Sequence, residues 1–193
     1  MPLTGPATDA ALEGPGALAG ACPEPLVRAL RAEVSRGLDW QQTADRVAAT
    51  LRAMLPAPAD LLPAALRQGN PDCYQSHLIH AEPDGSFSIG AMVWLPGQAT
   101  VIHDHVAWCV TGVLQGCEYE EVFALADDGG ALRLVARNTN RRGSVCGFAP
   151  PGDIHRVRNC GDDEIAVSMH VYGADISRLG NSIRREYALP ILP

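Results

Sequence analysis

From Tyr74 onward the chain is punctuated by turn signals: Pro83-Asp84-Gly85, Pro96-Gly97, Asp127-Asp128-Gly129-Gly130, Arg142-Gly143 and Gly161-Asp162-Asp163. Short apolar runs of strand character lie between them, about nine in all, at the spacing expected of a β-sandwich or small barrel. Residues 73–193 are therefore read as one barrel with a C-terminal extension. Residues 174–187 within that extension are expected to turn helical.

The residues before the barrel read differently. Residues 1–20 are Ala, Gly, Pro and Thr with scattered acids, the composition of a disordered tail. Residues 21–72 form a helical segment expected to pack on the barrel. Pro23 and Pro25 suit a first helical turn, Leu26, Leu30 and Val34 keep helical spacing, and Gly37 is placed as a stop. A second helix opens at Asp39, with Gln42 in capping-box position, and carries Trp40, Ala44, Val47, Ala48, Leu51 and Leu55 on one stripe. A shorter helix is expected over 59–67.

A chain of 193 residues fits one domain with a sizeable core. The net charge of -7 offers no basic footprint, which argues against nucleic acid and anionic membrane surfaces as partners. The six cysteines show no C-x-x-C pair or regular framework, so they read as reduced thiols, and with no membrane span or signal segment the expected location is cytoplasmic. Composition does not distinguish a monomer from a small homo-oligomer.

The chemistry concentrates in Gly97-x5-His103-x-His105-x3-Cys109-x6-Gly116, answered by Pro150-x-Gly152-x2-His155-x3-Asn159. His103 and His105 are two apart, so on a strand both side chains emerge from one face. A closed barrel brings the extended stretch around His155 beside them. Three imidazoles are neutral and leave the charge of a divalent ion uncompensated, unlike a two-His-one-carboxylate set. Such a centre favours an anionic incoming ligand, and a thiolate qualifies because coordination deprotonates a thiol. Spacing alone does not separate iron from nickel, manganese or zinc. Further on, Ser168, His170 and Tyr172 alternate with Val167, Met169 and Val171, placing three polar groups on one strand face. A hairpin centred near Asp162 is expected to set this strand beside His155, with Ser168 opposite it.

Over residues 73–172 the double histidine pattern resembles the two cupin motifs. It departs from them at Gly143, one place early, and at Cys109, where a glutamate ligand usually stands. His103-Asp104-His105, Trp108, Gly112-Val113-Leu114-Gln115-Gly116, His155-Arg156-Val157 with Asn159, and Ser168-Met169-His170-Val171-Tyr172-Gly173 together resemble the cysteine dioxygenase family of mononuclear iron thiol dioxygenases. The resemblance implies a mainly β cupin barrel, or jelly roll, holding Fe(II) on His103, His105 and His155. It also implies a catalytic Ser168–His170–Tyr172 relay whose phenol faces a small thiol and dioxygen. In some family members a cysteine at the place of Cys109 is joined to the tyrosine by a thioether; many bacterial relatives have glycine there. Converting a thiolate to a sulfinate takes four electrons, which the sulfur supplies to one dioxygen, so no flavin, nicotinamide or oxoacid is needed. No G-x-G-x-x-G fingerprint contradicts this.

The substrate is less sharply marked. Members acting on L-cysteine carry an arginine after the first-strand tyrosine, and those acting on 3-mercaptopropionate typically carry glutamine; here Tyr74-Gln75-Ser76-His77 places Ser76 there. A serine cannot make the bidentate pair an arginine makes with a carboxylate. Ser76, Gln75 and Arg184 are the candidate substrate contacts. The competing functions are another cupin metalloenzyme, such as a carbon-cleaving dioxygenase or isomerase, and a non-enzymatic small-molecule-binding cupin.

Overall fold

The computed structural model describes residues 22–193, and the tail expected over 1–20 lies outside the described residues. α1 spans Glu24–Val34 behind Pro23, and α2 spans Trp40–Met54. The Asp39 side chain caps α2 by accepting from the Gln42 backbone N–H at 2.8 Å. Gly37 supplies the positive φ of 68° that turns the chain between them. Ala44, Val47, Ala48 and Leu51 are buried as the stripe requires, but Trp40 is 48% exposed and does not join it. The third expected helix is divided into α3 (Pro58–Leu61) and a 3-10 turn at Ala64–Gln68. Pro63 separates them because it has no N–H to continue the ladder.

Nine strands then run from Gln75 to Tyr172: β1 Gln75–Ala81, β2 Ser88–Trp94, β3 His103–His105, β4 Cys109–Gln115, β5 Cys117–Leu125, β6 Leu132–Arg141, β7 Val145–Phe148, β8 His155–Asn159 and β9 Ala166–Tyr172. The region expected to be helical holds only the four-residue α4 (Ile176–Leu179), which stops at Gly180 with φ 91°. Beyond it β10 (Ile183–Glu186) pairs with β3, and β11 (Ile191–Leu192) pairs with β6.

Two sheets result, ordered β1-β2-β9-β4-β7 and β10-β3-β8-β5-β6-β11. α1 and α2 cover the outer face of the five-stranded sheet. Leu26, Leu30, Val47 and Leu51 share one buried cluster with Ile89, Val93, Val110, Val167, Met169 and Val171. β9 is consequently buried on both faces: Val167, Met169 and Val171 meet the helices, and the alternate residues point into the barrel.

Two further expectations are corrected. β8 and β9 are not a hairpin: β8 lies between β3 and β5, whereas β9 lies between β2 and β4 in the other sheet. Ser168 therefore stands opposite Met92 and Val113 rather than His155. The chain changes sheets between them, and Asn159 secures the crossing by donating to the carbonyls of Trp94 and Glu164 and accepting from the Gly161 N–H. The cysteines are not all reduced either, since Cys117 and Cys160 form a disulfide, leaving Cys22, Cys73, Cys109 and Cys146 as thiols. Among the described residues no helix is long and apolar enough to cross a membrane.

Candidate metal centre

β3 is short, but its period of two turns both imidazoles the same way, and its pairing with β8 sets His103 opposite His155. Ring centroids are 4.8 Å apart for His103–His105 and His103–His155 and 5.0 Å for His105–His155, with one ligand atom from each residue within 4.8 Å of the others. All three rings are buried.

Each ring is fixed from behind through Nδ1. His103 Nδ1 lies 3.0 Å from the Val101 carbonyl, His105 Nδ1 3.1 Å from Asp153 Oδ2, and His155 Nδ1 2.8 Å from Glu120 Oε1. All three partners are acceptors, so each Nδ1 carries the proton and the Nε2 lone pairs are left to converge. Burial, then the neighbouring imidazoles, holds His103 well below its ordinary pKa. Burial likewise lowers His105, opposed by the hydrogen bond to Asp153. Three converging imidazole nitrogens fit a transition-metal ion, with the tautomers that binding requires already set.

The carboxylates behind the rings were not anticipated from sequence. Burial pushes the Asp153 carboxyl up, but hydrogen bonds from the ring and backbone N–H of His105 pull it below its usual value. Glu120 behaves similarly, lowered against burial by His155, Asn138 and Asn140. Two anions thus sit one hydrogen bond beyond the ligands, offsetting the charge that the imidazoles alone would leave uncompensated. A signal existed: Asp153 is two residues before His155, and Glu118-x-Glu120 puts two acids on one face of a strand. Such alternation ordinarily marks a solvent face, which is why it is passed over.

The opposite wall is β9. Ser168 Oγ is 3.0 Å from His170 Nε2, and the Tyr172 hydroxyl is 3.2 Å from His170 Nδ1. Burial, reinforced by His105 and His155, drives His170 down to about 3, so it is neutral near pH 7. Cys109, fully buried, is the register partner of Tyr172 across β4 and β9, and burial raises its thiol well above the ordinary value.

His103, His105, His155, His170 and Tyr172 line one cavity with a volume of about 30 Å³, room for about two or three water molecules. Tyr74, Thr100 and Ser182 add hydroxyls, and Met92, Phe148, Val157 and Ile183 add apolar wall; none of the lining residues is Arg. Ser76 is buried just behind this lining: a Cβ on Gly90 would lie 3.9 Å from Tyr172 Cε2 and 4.0 Å from Ser76 Oγ. Gln75 is one residue out of phase and pairs with Val93, on the helix-covered side. Arg184 is on a strand, not a helix, and its guanidinium pairs with Asp104, which also accepts from the Tyr187 hydroxyl at 2.8 Å. Of the three candidate substrate contacts, only Ser76 is adjacent to the cavity.

Two facing, mainly antiparallel sheets around three converging imidazoles define a cupin barrel with a candidate metal site. The family model described as cysteine dioxygenase type I matches residues 67–181, and the chain belongs to that family. It is 31% identical over 91 residues to the protein called cysteine dioxygenase type 1 of Bos taurus and, over the same length, to its namesake of Homo sapiens, covering 46% of each chain. The chain thus spans about half the length of the curated relatives it matches. Among solved structures, an oxalate oxidase is similar at 17% identity and a TM-score of 0.46, covering 69% of each chain. A cupin 2 domain-containing protein of Halorhodospira halophila is similar at 16% identity and a TM-score of 0.44, covering 63% of this chain and 75% of that one.

Proposed function

We propose that this protein is an iron(II)-dependent thiol dioxygenase that converts a small thiol carboxylic acid, L-cysteine or 3-mercaptopropionate, to its sulfinic acid. The observation that carries this reading is the convergence of His103, His105 and His155 across a small cavity from the Tyr172 phenol. The reaction adds both atoms of dioxygen to the thiolate sulfur, which gives up four electrons, so no further reductant enters. Iron bound by the three imidazoles would supply a Lewis-acidic, redox-active centre open to small anionic ligands.

The chain's own residues perform the remaining tasks. Asp153, Glu120 and the Val101 carbonyl hold the ring protons on Nδ1 and so keep each Nε2 available. Met92, Phe148, Val157 and Ile183 restrict water around the thiolate. Tyr172, steadied by His170, presents a hydroxyl to the reacting end of the substrate. With Arg184 paired to Asp104, the hydroxyls of Tyr74, Thr100 and Ser182 are the side-chain groups positioned to meet a substrate carboxylate. A cytoplasmic location belongs to the same reading; in a reducing compartment the Cys117–Cys160 bond is expected to be open.

The test is oxygen-electrode uptake by the ferrous-loaded protein with L-cysteine, 3-mercaptopropionate, mercaptosuccinate and cysteamine. Stoichiometric sulfinate from one of them is the expected result. No uptake with any thiol, in protein carrying stoichiometric iron, overturns the proposal. Ser76→Arg places a guanidinium beside Tyr172 and is expected to shift preference toward L-cysteine; an unchanged profile removes Ser76 from the substrate site.

A further inference from the structure

Glu118 lies on β5, 2% exposed, on the same strand face as Glu120; its neighbour on β9 is Ser168, which, unlike His170 and Tyr172, is not among the residues lining the cavity of the three histidines. Its Oε1 has no hydrogen-bond partner, and the polar neighbours of its carboxyl are the Ser168 hydroxyl and the Trp94 indole. An isolated carboxyl in such a place is costly, and its protonation state has consequences for everything bonded to it.

Ser168 Oγ is the junction. It receives the Trp94 indole N–H at 3.3 Å, a group that can only donate, and it touches His170 Nε2 at 3.0 Å. If Glu118 is ionised it can only accept, so the single Ser168 proton is directed to it. His170 Nε2 must then carry the ring proton and donate to Ser168, and His170 Nδ1 must accept the phenol proton of Tyr172. If Glu118 is protonated it donates to Ser168, whose two lone pairs are taken by Glu118 and Trp94. The Ser168 proton then turns to His170 Nε2, the ring proton moves to Nδ1, and Nδ1 donates to the Tyr172 oxygen. The phenol proton is turned from His170 toward the cavity.

We propose that Glu118 is a positioning residue whose protonation state sets the direction of the Ser168–His170–Tyr172 hydrogen bonds, and so whether Tyr172 gives its proton to His170 or to the cavity. No heavy atom moves and no redox step is involved; one proton enters from solvent and the others shift along existing bonds.

The surroundings suit the role. Burial raises the Glu118 carboxyl to about 7, countered in part by Ser168 and raised further by Glu120. Glu120 on the same strand is lowered, His170 on β9 lies at about 3, Cys146 on β7 is raised to about 11, and Cys109 on β4 is higher than its ordinary value. Asn159 on β8 and Asn140 on β6 stand opposite Glu118 in register and carry no charge.

This inference takes its importance from the proposed thiol chemistry, but its test does not depend on turnover. In the zinc-loaded full chain with labelled histidine, the ring nitrogen shifts of His170 report which nitrogen bears the proton. The expected result is Nδ1–H near pH 5.5 and Nε2–H near pH 8.5, exchanging at about 7, with no exchange in Glu118→Gln. A His170 tautomer constant across that range in the wild-type chain overturns the proposal, as does the same exchange in Glu118→Gln. The titration repeated on metal-free protein reads the tautomer whether or not the metal site loads. An exchange seen in protein that oxidises no thiol would keep this inference while removing the proposed function.

Discussion

Cys109 and Tyr172 stand directly opposite one another in the antiparallel pair β4–β9, both buried and both in one cluster with Leu78 and Ile176. Directly opposed residues have Cβ atoms roughly 4.5–5.5 Å apart, within reach of a bond from Sγ to the ring carbon beside the hydroxyl. Forming it removes one hydrogen from each residue, with dioxygen as oxidant. Peptide mapping after turnover is expected to recover the two peptides joined and lighter by two hydrogens. Finding both side chains unmodified throughout an active sample would exclude the bond.

Loss of one imidazole should empty the metal site without unfolding the barrel. His155→Ala is expected to leave far less than one metal per chain by elemental analysis, with an unchanged circular dichroism spectrum. Glu120→Gln keeps the ligand but weakens what holds it, and the metal affinity should fall by about 10–100-fold in a chelator competition. Equal affinity for the wild type and Glu120→Gln would mean that the carboxylate has no part in fixing the ring.

Gly173 follows Tyr172 directly, and a Cβ there would lie 2.2 Å from Trp108 Nε1 and 2.4 Å from its Cε2. Trp108 is 3% exposed and belongs to the helix-side core, so it has little room to withdraw. Gly173→Ala should cost about 1–3 kcal/mol, read as a drop of roughly 2–4 °C in Tm for each kcal/mol. Gly130→Ala, whose Cβ would meet only Asp128 at 3.5 Å, is the near-neutral control.

The raised carboxyl of Glu118 should also be visible in stability. Its folded pKa of about 7 exceeds the ordinary 4.5, so between these values the folded chain holds a proton that the unfolded chain releases. Stability from this group is therefore full below about 4.5 and is lost as pH rises toward 7. Asp153 and Glu120, lowered in the fold, act in the opposite sense under more acid conditions. Wild type should thus fall progressively below Glu118→Gln, which stays neutral throughout, as pH rises through this window, so the denaturant midpoints separate rather than keep a constant offset. A difference independent of pH would show that Glu118 does not titrate there.

Much of the site was legible because it is written in local periods. His103 and His105 share a face through the two-residue strand repeat, as do Ser168, His170 and Tyr172, and Asp39 caps its helix three residues from Gln42. The helix boundary at Gly37 and the nine strands from Gln75 to Tyr172 were marked by their turn residues for the same reason. The misreadings share a different cause. Trp40 keeps the helical spacing of the buried stripe, but it stands at the first turn, beyond the edge of what the sheet covers.

What the amino-acid order determined by itself is which residues belong to one face of one element, because backbone geometry carries that information over a few residues. Only the tertiary structure decided which faces meet. It separated β8 from β9, brought Cys117 to Cys160 across 43 residues, set Asp153 and Glu120 behind two imidazoles and drew Arg184 to Asp104. Each of these pairings joins residues far apart in the chain, where the choice of partner is settled by burying both sheets at once and not by any local repeat.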